Sequence, residues 1–135
     1  MWSKAGESPG NGLDDDGNGY VDDVYGYDFY ENTGNLTPGA HGTHVAGTVA
    51  AVNNNGVGVC GVAGGSGQGD GVRLMSCTLY PPTGDDTTTG VEAYVYADDN
   101  GAVISQNSRN FSNMDPTRED MGVALEYCVN EGGED

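Results

Sequence analysis

The chain has 135 residues, 24 of them glycine, and sets 21 acidic side chains against 4 basic ones for a formal charge of −17. That length is enough for one ordinary domain with a core of its own. So acidic a surface repels nucleic acid and anionic lipid and favours cations. No apolar run approaches the roughly 20 residues that a bilayer requires, so neither nucleic acid nor membrane is an expected partner.

The first 23 residues read as a loop rich in Gly, Asn and Asp. Within it, Asn11-Gly12-Leu13-Asp14-Asp15-Asp16-Gly17-Asn18-Gly19-Tyr20-Val21-Asp22-Asp23 has the layout of a calcium-binding loop. Calcium takes six to eight hard oxygen ligands, and a loop converges them with side chains at positions 1, 3 and 5, a glycine at 6, a carbonyl at 7 and an acid at 9. Those places hold Asp14, Asp16, Asn18, Gly19, Tyr20 and Asp22. Position 12, normally a bidentate glutamate, is Tyr25, so Asp23 or Asp28 is expected to complete the shell. The competing reading is an acidic turn that binds nothing.

Val24–Phe29 alternates weakly, as a short strand does. After Pro38-Gly39, the segment His41–Val52 suits a helix, and its small residues Gly47, Ala50 and Ala51 predict a buried one. Asn53-Asn54-Asn55-Gly56 ends it. Val72–Leu79 reads as a buried strand. A second helix is expected from Thr88 or Thr89 to about Asn100, stopped by Gly101, and a further strand over Ala102–Ser108. Asp115-Pro116 starts a third helix, with Met121, Ala124, Leu125, Cys128 and Val129 on one face. Strands alternating with helices give βαβ units and a parallel sheet, with no internal repeat and no linker.

Two histidines, His41 and His44, sit three apart in His41-Gly42-Thr43-His44-Val45-Ala46-Gly47-Thr48. They can share a helix face, so a metal pair, a satisfied structural histidine and a catalytic base all remain open on spacing alone. Cys60, Cys77 and Cys128 are odd in number and lack a Cys-x-x-Cys pair, which fits neither a zinc site nor a disulfide framework. Gly56-x-Gly58-x-x-Gly61 follows a helix and an Asn run instead of a strand, so it is no dinucleotide fingerprint.

The string His41-Gly-Thr-His-Val-Ala-Gly-Thr resembles the histidine motif of the subtilisin-like serine proteases, the subtilases (peptidase family S8). The calcium-type loop with Val24–Phe29, the segment Asn53–Gly64, and the stretches Val72–Cys77 and Gly101–Ser108 resemble the family's neighbouring segments in the same order. The resemblance implies an α/β fold, a parallel sheet with helices on both faces. It implies that residues 1–135 are part of the catalytic domain, 1–40 holding the calcium-type loop and first strand and 41–135 the histidine helix and following βα units.

On the same resemblance, His41 is the general base of a serine endopeptidase and His44 is structural. Ser108, Arg109 and Asn110 fall on the substrate-lining strand, where the family has Ser-Trp-Gly or Ser-Leu-Gly. Asn110 at the glycine place would thicken the pocket wall. Ca2+ is the implied cofactor, with a second position in the Asn53–Val59 loop, and a peptide or protein the implied substrate.

The family's central aspartate-bearing strand, its oxyanion asparagine and its Gly-Thr-Ser-Met-Ala nucleophile do not occur in this sequence. The remainder of the domain is therefore expected to be needed, and the 135 residues alone are expected to be inactive and unstable. Secretion is implied by the family, although Met1-Trp2-Ser3-Lys4 does not begin a signal peptide. Two alternatives stand beside the enzyme: a degenerate peptide-binding pseudoprotease, and a secreted calcium-binding domain without catalysis.

Overall fold

Among the described residues, four elements follow one another: β1 (Gly26–Asp28), α1 (Ala40–Ala50), β2 (Ser76–Thr78) and α2 (Thr89–Asp99). The computed structural model describes residues 1–79 and 89–108, together with Glu126 and Cys128, both helical. The elements belong to two compact units. One comprises Lys4–Leu36 and the chain from Ser76 onward; the other comprises Met1–Ser3 and Thr37–Met75.

In the first unit, β1 and β2 pair in parallel, in the register Gly26↔Ser76, Tyr27↔Cys77 and Asp28↔Thr78. Ser76 N–H donates to the Tyr25 carbonyl at 3.1 Å and Phe29 N–H to the Thr78 carbonyl at 2.9 Å, extending the ladder at both ends. The strands approach so closely at Gly26 that a Cβ there would lie 1.9 Å from the Ser76 carbonyl oxygen, and Gly26 holds φ +124°. Only glycine meets both demands.

After β1 the chain turns at once. Asp28 and Thr33 exchange backbone bonds of 2.9 and 3.1 Å, while the Asp28 carboxylate accepts the Tyr30 and Glu31 amides. The core is aromatic. Tyr20, Tyr27, Phe29 and Tyr96 meet edge to face, with centroid separations of 4.8 Å for Tyr20–Tyr27 and 4.9 Å for Tyr20–Tyr96. Ring quadrupoles favour that arrangement. Ala93 and Tyr96 are the buried apolar positions of α2, three apart and therefore on one face.

Cys77 lies on β2, where burial pushes its thiol up to about 11. Only about one Cys77 in a thousand is then thiolate at pH 8. Alkylation with iodoacetamide at that pH is expected to consume the exposed Cys60 while leaving Cys77 unmodified. Equal labelling, read by peptide mass spectrometry, would contradict the burial.

In the second unit, α1 starts after Gly39, whose backbone is extended (φ −95°, ψ 147°) and whose carbonyl accepts the Thr43 amide at 2.9 Å. The chain then returns to close the helix's C-terminal end. Val62 N–H donates to the Thr48 carbonyl and Ala63 N–H to the Val49 carbonyl, at 2.9 and 2.8 Å. These are the orphan carbonyls that every helix end must satisfy. A Cβ at Gly64 would stand 1.9 Å from the Ala51 carbonyl oxygen, so glycine is required where this return segment passes.

The structure corrects three sequence expectations. Ala102–Ser108 is not a strand. Its β-branched residues favour extended backbone, but a strand exists only with a ladder partner, and Val103 and Ile104 are 94% and 81% exposed. The expected strand Val72–Leu79 is confined to the three residues that β1 can reach. Helix α1 has no buried residue; small side chains permit close packing but do not supply the element that packs. The proposed third helix lies outside the described residues except at Glu126 and Cys128, where the Cys128 thiol reaches the Tyr94 carbonyl at 3.6 Å.

Candidate active site and acidic loop

His41 is the second residue of α1, and it is exposed, as is His44 one turn on. The His44 carbonyl accepts the Thr48 hydroxyl at 3.0 Å. Ser108 is exposed, and its hydroxyl accepts a bond from the Gln106 side-chain amide at 2.8 Å. Arg109 and Asn110 lie outside the described residues.

The acidic loop is shaped by carboxylates that accept its own amides. Asp14 takes the N–H groups of Gly17, Asn18 and Gly19 at 2.7, 3.1 and 2.8 Å. These bonds, the one from Gly19 foremost, hold its carboxyl below the usual carboxylate value. The order they confer is present above about pH 3.8 and is lost as pH falls through the lowered value. Asp16 accepts the Asn18 amide at 3.1 Å, and the Asn18 side-chain oxygen accepts the Tyr20 amide at 2.8 Å.

Asp22 holds φ +57°, and its carboxylate receives the Asn11 and Gly12 amides at 3.0 and 3.1 Å. Asp23 is fully buried. One of its oxygens accepts the Asn18 side-chain amide at 2.9 Å and the Tyr96 hydroxyl at 2.8 Å; the other, Oδ1, has no hydrogen-bond partner among the described residues.

The residue that spacing did not reveal is Glu7. It is buried, and its two oxygens accept the Asp15 and Asp22 amides, each at 3.1 Å. Carboxylate oxygens of Glu7, Asp14 and Asp16 all lie within 4.8 Å of one another. Among the described residues, Lys4 balances this charge directly, with its ammonium 3.1 Å from Asp16. An all-oxygen donor set on a preformed loop is what a hard divalent cation requires. In the other unit, the side-chain oxygen of Asn53 is buried without a hydrogen-bond partner among the described residues.

The sequence profile of the subtilase family matches residues 8–130, and the chain belongs to that family. It is 55% identical over 56 residues to "Subtilisin-like protease 1" of Plasmodium vivax, covering 41% of this chain and 9% of that protein. Against the "Thermophilic serine proteinase" of Bacillus sp. (strain AK1) it is 32% identical over 111 residues, 81% of this chain and 25% of that one. A stretch of 26 residues is 77% identical to the "Extracellular basic protease" of Dichelobacter nodosus, 19% of this chain and 4% of that protein. The chain thus spans a quarter or less of the length of these relatives. Among the described residues, no helix is long and apolar enough to cross a membrane.

Proposed function

We propose that these residues are part of a secreted serine endopeptidase in which His41 is the general base. The observation that carries this is the placement of the histidine string: His41 stands exposed in the first turn of α1, inside a subtilase match that spans 8–130. In such an enzyme the imidazole accepts the proton of a serine hydroxyl as that oxygen attacks the peptide carbonyl. It then returns the proton to the leaving amine.

The serine and the aspartate that orients the imidazole come from sequence beyond these 135 residues, so the 135-residue chain is inactive by itself. Ser108, with Arg109 and Asn110, contributes to the substrate channel. Secretion is supported by the extracellular relative of Dichelobacter nodosus, and a peptide or protein chain is the substrate.

The acidic loop holds Ca2+ in this reading. Glu7, Asp14 and Asp16 are its carboxylate ligands, with Asn18, Tyr20 and Asp22 around them; the support is the convergence of oxygens within 4.8 Å. The ion supplies positive charge that offsets the repulsion among these carboxylates. The residues do the rest by holding the loop in shape before the ion arrives. Calorimetry on the full-length protein is expected to show calcium binding in the wild type and none in Asp14→Ala/Asp16→Ala. An unchanged heat in that variant contradicts the assignment.

The test of the enzyme is proteolysis by the full-length protein with and without His41, developed below. A protein that binds peptide without cleaving it would instead be a degenerate relative, and one that keeps calcium but never engages peptide a binding domain.

A further inference from the structure

We propose that the acidic loop and α2 form one linked unit, in which a divalent cation held by Glu7, Asp14 and Asp16 stabilises the C-terminal half of α2 through two side-chain ties, Asp23 to Tyr96 and Lys4 to Asn100. The inference rests on the cation reading above and adds what that cation does.

Helix α2 is weak by its own sequence. It contains Gly90, Val91 and Val95, and it ends in Asp98-Asp99 with no basic residue in its last turn. Glycine and β-branched residues lower helix propensity, and carboxylates at a helix C-terminus oppose the macrodipole. Its order must come from groups outside the helix.

Both of the ties supply such groups, and both start on the loop. The first begins at Asn18, the loop's fifth position, whose side-chain amide donates to Asp23 at 2.9 Å. The same Asp23 oxygen accepts the Tyr96 hydroxyl at 2.8 Å. With its nitrogen committed to Asp23, Asn18 turns its oxygen the other way, to the Tyr20 amide. Asp23 therefore positions Asn18 while gripping α2. Tyr96, 1% exposed, also meets the Tyr20 ring at 4.9 Å, so the loop touches this side chain twice.

The second tie begins at Asp16. Lys4 pairs with its carboxylate at 3.1 Å and also donates to the Asn100 side-chain oxygen. Asn100 in turn donates to the Tyr96 carbonyl at 2.8 Å. The Lys4 ammonium thus stands at the C-terminal end of α2, where the helix itself offers no cation. Residues 96 and 100 are one helical turn apart, so the two ties clamp one turn of α2 to two successive alternate positions of the loop.

Linkage makes the effect reciprocal: an ion that orders Asp16 and Asn18 orders the turn they hold, and loosening that turn weakens the ion. The experiment is hydrogen–deuterium exchange of the full-length protein with and without saturating Ca2+, alongside calorimetry. Calcium is expected to slow exchange at amides 96–100 by on the order of tenfold, and Tyr96→Phe, which keeps the ring but removes the hydroxyl, to weaken calcium by a similar factor.

Calcium binding with unchanged exchange over these amides overturns the coupling and leaves the cation site standing. Absence of calcium binding overturns both. Should Tyr96→Phe misfold, Lys4→Met tests the second tie by the same exchange measurement; calcium slowing amides 96–100 as fully as in the wild type overturns the Lys4 arm.

Discussion

Replacing His41 with alanine is expected to lower peptide hydrolysis by the full-length protein by on the order of 10⁴-fold or more in kcat, with little change in KM. In the proposed role the imidazole would touch the reacting proton and not the bound ground state, so its loss is expected to fall on the chemical step. Alanine is tolerated at this position because the side chain is exposed in the first turn of α1; thermal unfolding should be unchanged. His44→Ala is the companion variant. Its carbonyl, which accepts the Thr48 hydroxyl, survives the substitution, and turnover should persist. A large loss of kcat in His44→Ala with none in His41→Ala would reverse the assignment of roles.

Gly26→Ala is expected to destabilise the domain by about 3 kcal/mol or more. A non-glycine residue forced to positive φ costs about 1–2 kcal/mol, and overpacking a tight contact adds about 1–3 kcal/mol. Both apply, because Gly26 holds φ +124° and its added Cβ would meet the Ser76 carbonyl oxygen at 1.9 Å and the Ser76 nitrogen at 2.7 Å. These are backbone atoms of β2 and cannot rotate away.

Relief would require β1 to separate from β2, breaking the Ser76-to-Tyr25 and Phe29-to-Thr78 bonds. Gly10→Ala isolates the conformational part: φ is +72° but nothing lies within 4 Å, so about 1 kcal/mol is expected. Urea titration of the full-length protein checks the pair, through midpoints that fall in that order at constant m. Equal midpoints for the two variants would mean that the close strand approach is not as described.

Local signals were legible in the sequence where the physics is local. The helix around His41 and the one ending before Gly101 lie within a residue or two of their expected bounds, because capping and stop signals act over a single turn. Asp14, Asp16 and Asn18 were identified by alternation, and the loop does turn their side chains onto its own amides. The family itself was legible from the histidine string.

What was not legible is what the fold brings from a distance. Glu7 joins Asp14 and Asp16 from outside the loop pattern, and no spacing rule connects it to them. Asp23 meets a tyrosine 73 residues away, and neither residue carries a local mark of that contact. Ala102–Ser108 failed for the complementary reason. Its composition states a preference, while a strand is a pairing, and among the described residues no ladder reaches it.

The central claim, that the exposed imidazole of α1 activates a serine which these residues do not contain, is tested most directly by covalent capture. The full-length protein is treated with a fluorophosphonate, digested, and the modified peptide identified by mass spectrometry. The account predicts a single adduct on a serine outside residues 1–135, formed in the wild type and lost in His41→Ala. An adduct that forms at the same rate without His41, or one that maps to a serine within these 135 residues, would contradict it.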